Sequence, residues 1–294
     1  MNASPTNGKD RQGSMVGKTV VMTGATSGLG AVAAETLARR GAKVVVVARD
    51  AARGARTMAR LTAANPNVTH RLHLGDLSRL TDMKRVGAEI AEAEPIVHVL
   101  ANNAGAMFKA RQITEDGLER TFATNHMAYL VLTLGLKASL EAAGGARVVN
   151  TASAAHRGQR FNPADMQSLK NYSGPFAYGR SKLYNILFTR ELARRWAGTG
   201  ITVNCFHPGV VATRFGDDSG GWLALLARAV KTFAITPEQG AQTLIYLAAS
   251  RKVAGITGEY FDRCAVIEAR PSARDDAAAA ALFTASMKLA GLPD

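Results

Sequence analysis

The alternation of short apolar runs with amphipathic stretches constrains the fold of this chain most. We expect seven apolar runs, most of them rich in valine, to be strands: residues 18–23, 42–48, 70–74, 95–101, 146–152, 201–207 and 258–262. Helical spacing of apolar residues lies between most of them, at 28–40, 51–64, 79–93, 114–143 and 177–198. Apolar strands separated by amphipathic helices favour parallel pairing with helices on both faces. The sequence therefore predicts an α/β fold with a doubly wound parallel sheet.

The chain length fits one large domain of this type. Its 294 residues exceed the usual domain size, but α/β folds with one continuous sheet often reach this length. The polar residues 1–16 predict a disordered leader, with Met15 as an alternative start. We expect a single domain over 17–294, with a terminal helix around the alanine-rich residues 277–281.

Several classes of protein do not fit this sequence. No apolar stretch reaches the roughly 18 residues that a membrane span needs, and the start lacks the apolar core of a secretory signal. Cys205 and Cys264 are the only cysteines, and their wide separation argues against a disulfide framework or a zinc site. We therefore expect no metal and a reducing, cytoplasmic compartment.

The chain is strongly basic, with a formal net charge of +13. Such a charge attracts polyanions, but the arginines are scattered and no nucleic-acid recognition motif occurs, so we do not expect nucleic-acid binding. One local cluster of basic residues has only Glu35 and Asp50 near it in sequence: Arg39, Arg40, Lys43, Arg49, Arg53, Arg56 and Arg60. This cluster predicts a bound anion.

A glycine-rich stretch, "TGATSGLGA" at 23–31, follows the first predicted strand and opens the first helix. In an open α/β sheet, a dinucleotide pyrophosphate meets a helix N-terminus at this point. The glycine spacing differs from G-x-G-x-x-G, and the stretch lacks the Gly-Lys-Ser/Thr of a P-loop, which argues against a nucleoside triphosphatase. A tight strand-to-helix turn without a ligand is the alternative.

Three motifs in order resemble the short-chain dehydrogenase/reductase family. "TGATSGLG" is followed by "NNAG" at 102–105 and by "YGRSK" at 178–182. The resemblance runs from about Lys18 to Asp262, and "SKLYNILFTRELARR" and "HPGVV" are similar to the retinol-dehydrogenase-like branch. It implies a single Rossmann-fold domain with seven parallel strands and NAD(P)-dependent interconversion of a carbonyl and an alcohol.

Tyr178 and Lys182 are the expected acid/base pair. Tyr178 alone among the six tyrosines has a lysine four positions on, and this spacing places both side chains on one helical face. A phenol titrates near pH 10, and an adjacent ammonium favours the phenolate, so we expect the pKa of Tyr178 to be lowered. A surface pair on a helix is the alternative.

Ser153 and Asn125 complete the expected catalytic set. Ser153 follows the fifth strand, and its hydroxyl can donate to an oxygen that gains negative charge. The resemblance implies that it is the family's catalytic serine; a turn or capping serine is the alternative. Asn125 in "FATNHMAYL" matches the family's helix asparagine, which implies a proton path to Lys182. A mid-helix asparagine that bonds its own backbone is the alternative.

The residue after the second strand bears on cofactor choice. A carboxylate there binds the ribose 2′-OH of NAD, whereas an arginine accommodates the 2′-phosphate of NADP. Arg49 occupies the position and favours NADP, while the adjacent Asp50 leaves NAD open. The basic residue that some NADP-binding members carry inside the glycine loop is missing, because Ser27 occupies that region.

The resemblance implies further cofactor contacts along the chain. The glycine loop contributes Gly24, Thr26, Ser27, Gly28, Leu29 and Gly30. Asp76 and Leu77 flank the adenine, with a helix cap as the alternative for Asp76. The cofactor is also lined by Asn102, Ala104 and Gly105, by Tyr178 and Lys182, and at its nicotinamide end by Pro208, Gly209, Val211 and Thr213.

Two segments are expected to cover the substrate. Residues 154–177 form a long link between Ser153 and Tyr178, and 214–235 has the apolar spacing of a mobile amphipathic helix. They suggest an apolar aldehyde or ketone; a helix docked permanently on the core is the alternative. The resemblance implies an NADP-dependent carbonyl reductase or alcohol dehydrogenase that can form a homodimer through 114–143 and 177–198. A non-catalytic NADP-binding sensor or scaffold is the alternative function.

Overall fold

A central sheet organises the chain. The computed structural model describes residues 14–209 and 235–293. Its strands are β1 (Thr19–Thr23), β2 (Lys43–Ala48), β3 (Arg71–Leu74), β4 (Val99–Asn102), β5 (Arg147–Thr151), β6 (Thr202–His207), β7 (Tyr260–Asp262) and β8 (Ala265–Val266). They form one eight-stranded sheet in the order β3-β2-β1-β4-β5-β6-β7-β8. The first seven strands run parallel, and β8 pairs antiparallel with β7.

Helices cover both faces of this sheet. They are α1 (Gly28–Arg39), α2 (Ala51–Ala64), α3 (Leu80–Ala93), α4 (Arg120–Phe122), α5 (Ala128–Gly135), α6 (Lys137–Glu141), α7 (Gly174–Arg195), α8 (Pro237–Ala249) and α9 (Asp276–Ala290). Buried side chains of α3, α5, α7 and α9 form one core cluster, and those of α1 and α8 form another. The doubly wound α/β prediction is confirmed.

Two elements differ from the sequence-based expectation. The resemblance implied seven strands, but a short eighth strand follows a two-residue turn in which Arg263 and Cys264 have φ of 47° and 64°. The helix expected over 114–143 begins only at Arg120, because the Glu119 carboxylate accepts the first free N–H groups at that point. A π-helical turn at Ala123–Met127 then joins α4 to α5.

The folded chain begins before residue 17, the boundary expected from the sequence. Met15 is buried, and its N–H donates to the Arg40 carbonyl oxygen at 2.9 Å. In the described ranges, no helix is both long enough and apolar enough to cross a membrane.

The glycine loop packs tightly on the turn that follows β4. Gly24 has φ of +69°, and an added Cβ there would lie 2.8 Å from the Ala104 Cα. An added Cβ on Gly30 would lie 2.2 Å from the Gly24 carbonyl oxygen. The Asn103 side-chain amide donates to the Thr23 and Gly24 carbonyl oxygens at 3.3 and 3.2 Å. Two of the loop's glycines are therefore required by contacts within the chain itself.

Gly30→Ala should destabilise the protein by about 1–3 kcal/mol or more, because the new methyl group meets a backbone carbonyl that cannot move cheaply. Gly87→Ala in α3 is the matched control, since its nearest contact is Leu132 Cδ2 at 3.8 Å. Helix propensity should make this control more stable by about 0.5–1 kcal/mol. Urea unfolding followed by circular dichroism measures both changes. A Gly30→Ala protein as stable as the wild type would contradict the tight packing of the loop.

Candidate functional site

Ser153, Tyr178 and Lys182 come together at the carboxyl edge of the sheet. Ser153 follows β5, and the other two residues lie four positions apart on α7. The Ser153 hydroxyl lies close enough to the Tyr178 phenol to act on its pKa. Lys182 is buried, and its Nζ donates to the carbonyl oxygen of Thr151 at 3.0 Å. The structure therefore brings together three of the four residues expected to act in catalysis.

The protonation of Tyr178 differs from the expectation. Burial raises the pKa of Tyr178 to about 12, and the nearby Ser153 hydroxyl opposes this shift only in part. Burial also lowers the pKa of Lys182 to about 7, so a fraction of the Lys182 side chains is deprotonated near pH 7. Its Nζ lies 5.5 Å from the centroid of the Tyr178 ring. The lowered pKa expected for Tyr178 is therefore wrong, because burial is the dominant influence on this phenol.

Asn125 lies in the π-helical turn and holds the chain after β4. Its amide oxygen accepts the Ala106 N–H at 2.8 Å, and its amide nitrogen donates to the Ala106 carbonyl oxygen at 2.9 Å. The amide nitrogen also donates to the Ser181 hydroxyl at 2.9 Å. The asparagine thus bonds a distant backbone segment and not its own helix.

The side chains of Asn125 and Lys182 both lie beside Gly105. No hydrogen bond joins these two side chains among the described residues. An added Cβ on Gly105 would lie 3.3 Å from Lys182 Nζ and 3.4 Å from Asn125 Oδ1. The glycine of "NNAG" therefore leaves room for both polar groups beside the main chain. A proton path from Asn125 to Lys182 stays a prediction.

Ser153 caps a turn beside Tyr178. Its backbone is extended, and its Oγ accepts the Ala155 N–H at 3.2 Å at the start of a short 3-10 turn, Ala154–His156. The same hydroxyl lies close enough to Tyr178 to act on its pKa, and its catalytic role stays a prediction. Capping therefore fixes the position of this side chain without removing it from the site.

Two further residues of the site are not indicated by the motifs. The Tyr129 hydroxyl donates to the Ala104 carbonyl oxygen at 2.9 Å, and Lys182 Nζ lies 5.6 Å from the Tyr129 ring centroid. The Asn185 amide donates to the Thr151 carbonyl oxygen at 3.1 Å, so it shares that acceptor with Lys182. In the sequence, Tyr129 follows Asn125 by four positions, and Asn185 follows Lys182 by three. These helical spacings were the signal that could have indicated both residues.

The N-terminus of α1 is suited to an anion. Ser27 is the N-cap residue, but its side chain makes no capping hydrogen bond, and the first turn holds no acidic residue. Free N–H groups and the helix dipole attract negative charge at such an end. The Arg53 guanidinium donates to the Ser27 hydroxyl at 3.1 Å. Arg53 therefore brings to the loop the positive charge that the loop sequence lacks.

The basic cluster is partly neutralised. Glu94, distant in sequence, lies 2.7 Å from Lys43 Nζ, and Glu35 lies 3.2 Å from Arg60. Glu94, which lies 51 positions from Lys43, therefore adds to the two acidic residues that lie near the cluster in sequence. Asp50 caps α2 by accepting the Arg53 N–H at 2.7 Å.

Arg49 is exposed directly after β2. No hydrogen bond or ion pair joins its side chain to any residue of 14–209 or 235–293. With Asp50 used as a helix cap, Arg49 and Arg53 are the cations best placed at this end of β2.

The other expected cofactor contacts differ in their surroundings. Asn102 is fully buried, and its amide donates to Thr133 and Asn150, so a cofactor contact could come only from its main chain. Asp76 accepts the N–H and hydroxyl of Ser78 in the turn before α3, and Leu77 is buried.

The nicotinamide-end residues are described only in part. Pro208 and Gly209 follow β6, and Gly209 has φ of +86°. Val211 and Thr213 lie outside the described residues, as does the expected covering segment 214–235 except for Ile235.

The other expected covering segment, 154–177, is tied down along its length. Its Tyr172 hydroxyl donates to the Phe108 carbonyl oxygen at 2.8 Å, and its Gln167 side chain accepts the Glu119 N–H at 2.8 Å. The Tyr184 hydroxyl of α7 donates to the Met166 carbonyl oxygen at 2.9 Å. The segment therefore bridges α7 and the chain that follows β4.

Comparisons with known proteins agree with this arrangement. A family model described as short chain dehydrogenase matches residues 18–223. The chain is 39% identical to mouse retinol dehydrogenase 14, over 95% of this chain and 88% of the relative. It is 38% identical to mouse retinol dehydrogenase 12, over 94% and 87%.

Solved structures share the fold. A crystal structure of an uncharacterized protein from Mycobacterium paratuberculosis is 31% identical with a TM-score of 0.78, covering 96% of this chain and 97% of that one. The RhlG/NADP active-site complex of Pseudomonas aeruginosa is 26% identical with a TM-score of 0.68, covering 84% and 95%. The chain therefore belongs to the short-chain dehydrogenase/reductase family of NAD(P)-dependent enzymes that act on the alcohol/carbonyl pair, in its retinol-dehydrogenase-like branch.

Proposed function

We propose that this enzyme is an NADP-dependent oxidoreductase that interconverts an apolar aldehyde or ketone and its alcohol, with Tyr178 as the acid/base group. The juxtaposition of the Ser153 hydroxyl, the Tyr178 phenol and the Lys182 ammonium group at the carboxyl edge of the sheet carries the proposal. Relatives named retinol dehydrogenase support an apolar substrate.

The residues around the glycine loop fit a dinucleotide. The uncapped N-terminus of α1 would hold the pyrophosphate, and Gly28, with φ of +56°, starts that helix without a side chain. When bound, the cofactor supplies or accepts the hydride, and all proton handling falls to the protein.

Arg49 and Arg53 would hold the 2′-phosphate that distinguishes NADP from NAD. Both lie at the end of β2, where the family places the adenosine ribose, and Arg53 already contacts the glycine loop through Ser27. Asp50 is a weaker candidate for the ribose of NAD, because its carboxylate caps α2.

Tyr178 acts as the proton donor in the direction of reduction. Because its pKa is raised to about 12, the phenol keeps its proton at neutral pH. As the carbonyl oxygen becomes an alkoxide, it becomes a stronger base than a phenolate and takes this proton. Ser153 donates a hydrogen bond to the same oxygen, where negative charge develops.

Lys182 and Asn125 support this step from positions beside Gly105. Lys182 is held by the Thr151 carbonyl oxygen, which keeps its Nζ near the Tyr178 and Tyr129 rings. Asn125 fixes the Ala106 backbone that borders the site. The tied-down segment 154–177 would cover the bound substrate.

Tyr178→Phe should lower kcat for carbonyl reduction by about 10²–10⁴, because it removes the proton donor and keeps the ring. NADPH affinity and the unfolding midpoint should stay near those of the wild type. NADPH oxidation at 340 nm with a panel of apolar aldehydes and ketones measures the change. Tyr246→Phe on α8, outside the site, is the matched control and should retain full activity. Near-normal turnover by Tyr178→Phe would refute the mechanism.

Arg49→Ala should weaken NADPH binding much more than NADH binding. A charge-assisted hydrogen bond to the 2′-phosphate contributes about 1.5–3 kcal/mol, which corresponds to roughly 10-fold to 150-fold in affinity. Arg53→Ala should share this selective loss, whereas Arg56→Ala, an exposed arginine of the same helix, should not. Fluorescence titration with both cofactors measures the ratio, and equal losses for the two would contradict the assignment.

Lys182→Met should remove a pH dependence of stability. Burial lowers the pKa of Lys182 from 10.5 to about 7, so between these values the unfolded chain binds more protons at this side chain than the folded one. The wild type should therefore gain stability relative to Lys182→Met as the pH rises from about 7 to about 10, by at most about 1.4 kcal/mol per pH unit. Urea unfolding across this range measures the difference, and parallel stability curves would show that the buried ammonium is not penalised.

A further inference from the structure

A cavity lies beside the candidate site. Its volume is about 390 Å³, and it opens between the 3-10 turn after Ser153, strand β7 and the chain after β8. Its polar and charged lining residues are His156, Arg157, Tyr260, Glu268, Arg270 and Arg274. Neither Ser153 nor Tyr178 lines it, so it is distinct from the site proposed for the substrate.

The cavity carries positive charge without a matching number of acidic groups. Arg274 is paired with Glu268 at 2.5 Å. The side chains of Arg157 and Arg270 make no ion pair or hydrogen bond with the part of the chain that the structure describes. Burial lowers the pKa of His156, and the charges of Arg157 and Arg270, which line the same cavity, lower it further. Burial raises the pKa of Tyr260, and the Asp262 carboxylate on β7 adds to this shift. Asp262 does not line the cavity.

Two buried polar atoms in the lining have no partner. His156 is 1% exposed and Tyr260 is 4% exposed, and neither His156 Nε2 nor the Tyr260 hydroxyl makes a hydrogen bond among the described residues. The two rings lie edge to face, with centroids 5.3 Å apart. An unpaired buried polar group costs about 1–3 kcal/mol, so a ligand that pairs with both atoms would be favoured.

The hydrogen-bonding roles of these two atoms can be assigned. His156 Nδ1 lies 2.6 Å from the Ser153 carbonyl oxygen, which can only accept, so Nδ1 carries the proton and Nε2 is an acceptor. Burial raises the pKa of Tyr260, which keeps its phenol protonated and able to donate. His156 and Tyr260 therefore supply one acceptor and one donor, and the lining adds two guanidinium groups without ion pairs among the described residues. Because both unpaired atoms are buried, a ligand reaches them only when the two rings shift.

We propose that this cavity binds a small anion that carries both an anionic oxygen and a hydroxyl group. The anionic oxygen would accept from Arg157, Arg270 and Tyr260, while the hydroxyl would donate to His156 Nε2. Two kinds of ligand share this chemistry: hydrogen phosphate and a short 2-hydroxycarboxylate. The volume suits either, since it lies in the lower part of the range of small-molecule sites.

The test follows the thermal unfolding midpoint of the full chain during titration with anions at constant ionic strength near pH 7.5. Phosphate and lactate are the two probes. Sulfate and propionate are their matched controls, because neither carries a hydroxyl that could donate to His156. We expect at least one probe to raise the midpoint in a saturable way, with an affinity at least fivefold greater than that of its control. The probe that does so identifies the kind of ligand.

Four variants locate the binding. Arg270→Gln and Tyr260→Phe should weaken the effective probe at least tenfold. Tyr260→Phe should fold at least as well as the wild type without anion, because it removes an unpaired hydroxyl. Arg251→Gln makes the same charge change on an exposed turn outside the cavity and should titrate like the wild type. Arg49→Gln separates the two anion sites, because it should weaken only an anion held at the cofactor loop and leave the shift that depends on Arg270 and Tyr260.

The proposal would be overturned if Arg270→Gln and Tyr260→Phe titrated like the wild type. It would equally be overturned if Arg49→Gln alone lost the effect, which would assign the anion to the cofactor loop. Equal shifts with each probe and its control, or no saturable shift with either probe, would also refute it.

Discussion

A buried chain of hydrogen bonds behind the site holds the strands that meet at its edge. The Asn102 amide of β4 donates to the Asn150 side chain of β5 at 2.9 Å, and Asn150 donates to Thr189 of α7 at 2.9 Å. The Thr189 hydroxyl donates to the Asn185 carbonyl oxygen at 2.7 Å, and the Asn185 amide reaches back to Thr151. The amide oxygens of Asn102 and Asn185 have no partner among the described residues, but the donors of this hydrogen-bond chain are all paired. Paired donors in a core favour one arrangement, since any other leaves them unpaired. The network therefore fixes α7 against β5, and with it the place of Tyr178 and Lys182.

The alternation of apolar runs and helical stretches was sufficient to predict the doubly wound sheet, because burial on both faces imposes that pattern. It could not predict β8, because two residues are too few to show a period. Nor could it predict that the helix over 114–143 starts late, because the start depends on Glu119 capping two N–H groups instead of on apolar spacing. The pairing of Lys43 with Glu94 joins residues 51 positions apart and has no local signal.

The sequence predicted which side chains of the candidate site come together, whereas their role in catalysis stays a prediction. Motif spacing identified Ser153, Tyr178 and Lys182, which the fold brings to one edge of the sheet. The pKa of Tyr178 could not be predicted from its spacing to a lysine, because it depends on how far both groups are removed from water. The sequence likewise showed only part of the reason for Gly24 and Gly30. An added Cβ at either position would meet the chain itself, whether or not a cofactor binds.

Burial shifts both titratable partners of the proposed mechanism toward their neutral forms. It raises the pKa of the Tyr178 phenol and lowers that of the Lys182 ammonium. Charge attraction is therefore not what holds this pair in place; the Thr151 carbonyl oxygen holds Lys182 through a hydrogen bond, and both residues are fixed by their places on α7. A neutral phenol beside a serine hydroxyl can donate its proton without first having to acquire one. The same burial that opposes a phenolate thus suits the protein to donate a proton to an oxygen that is gaining negative charge.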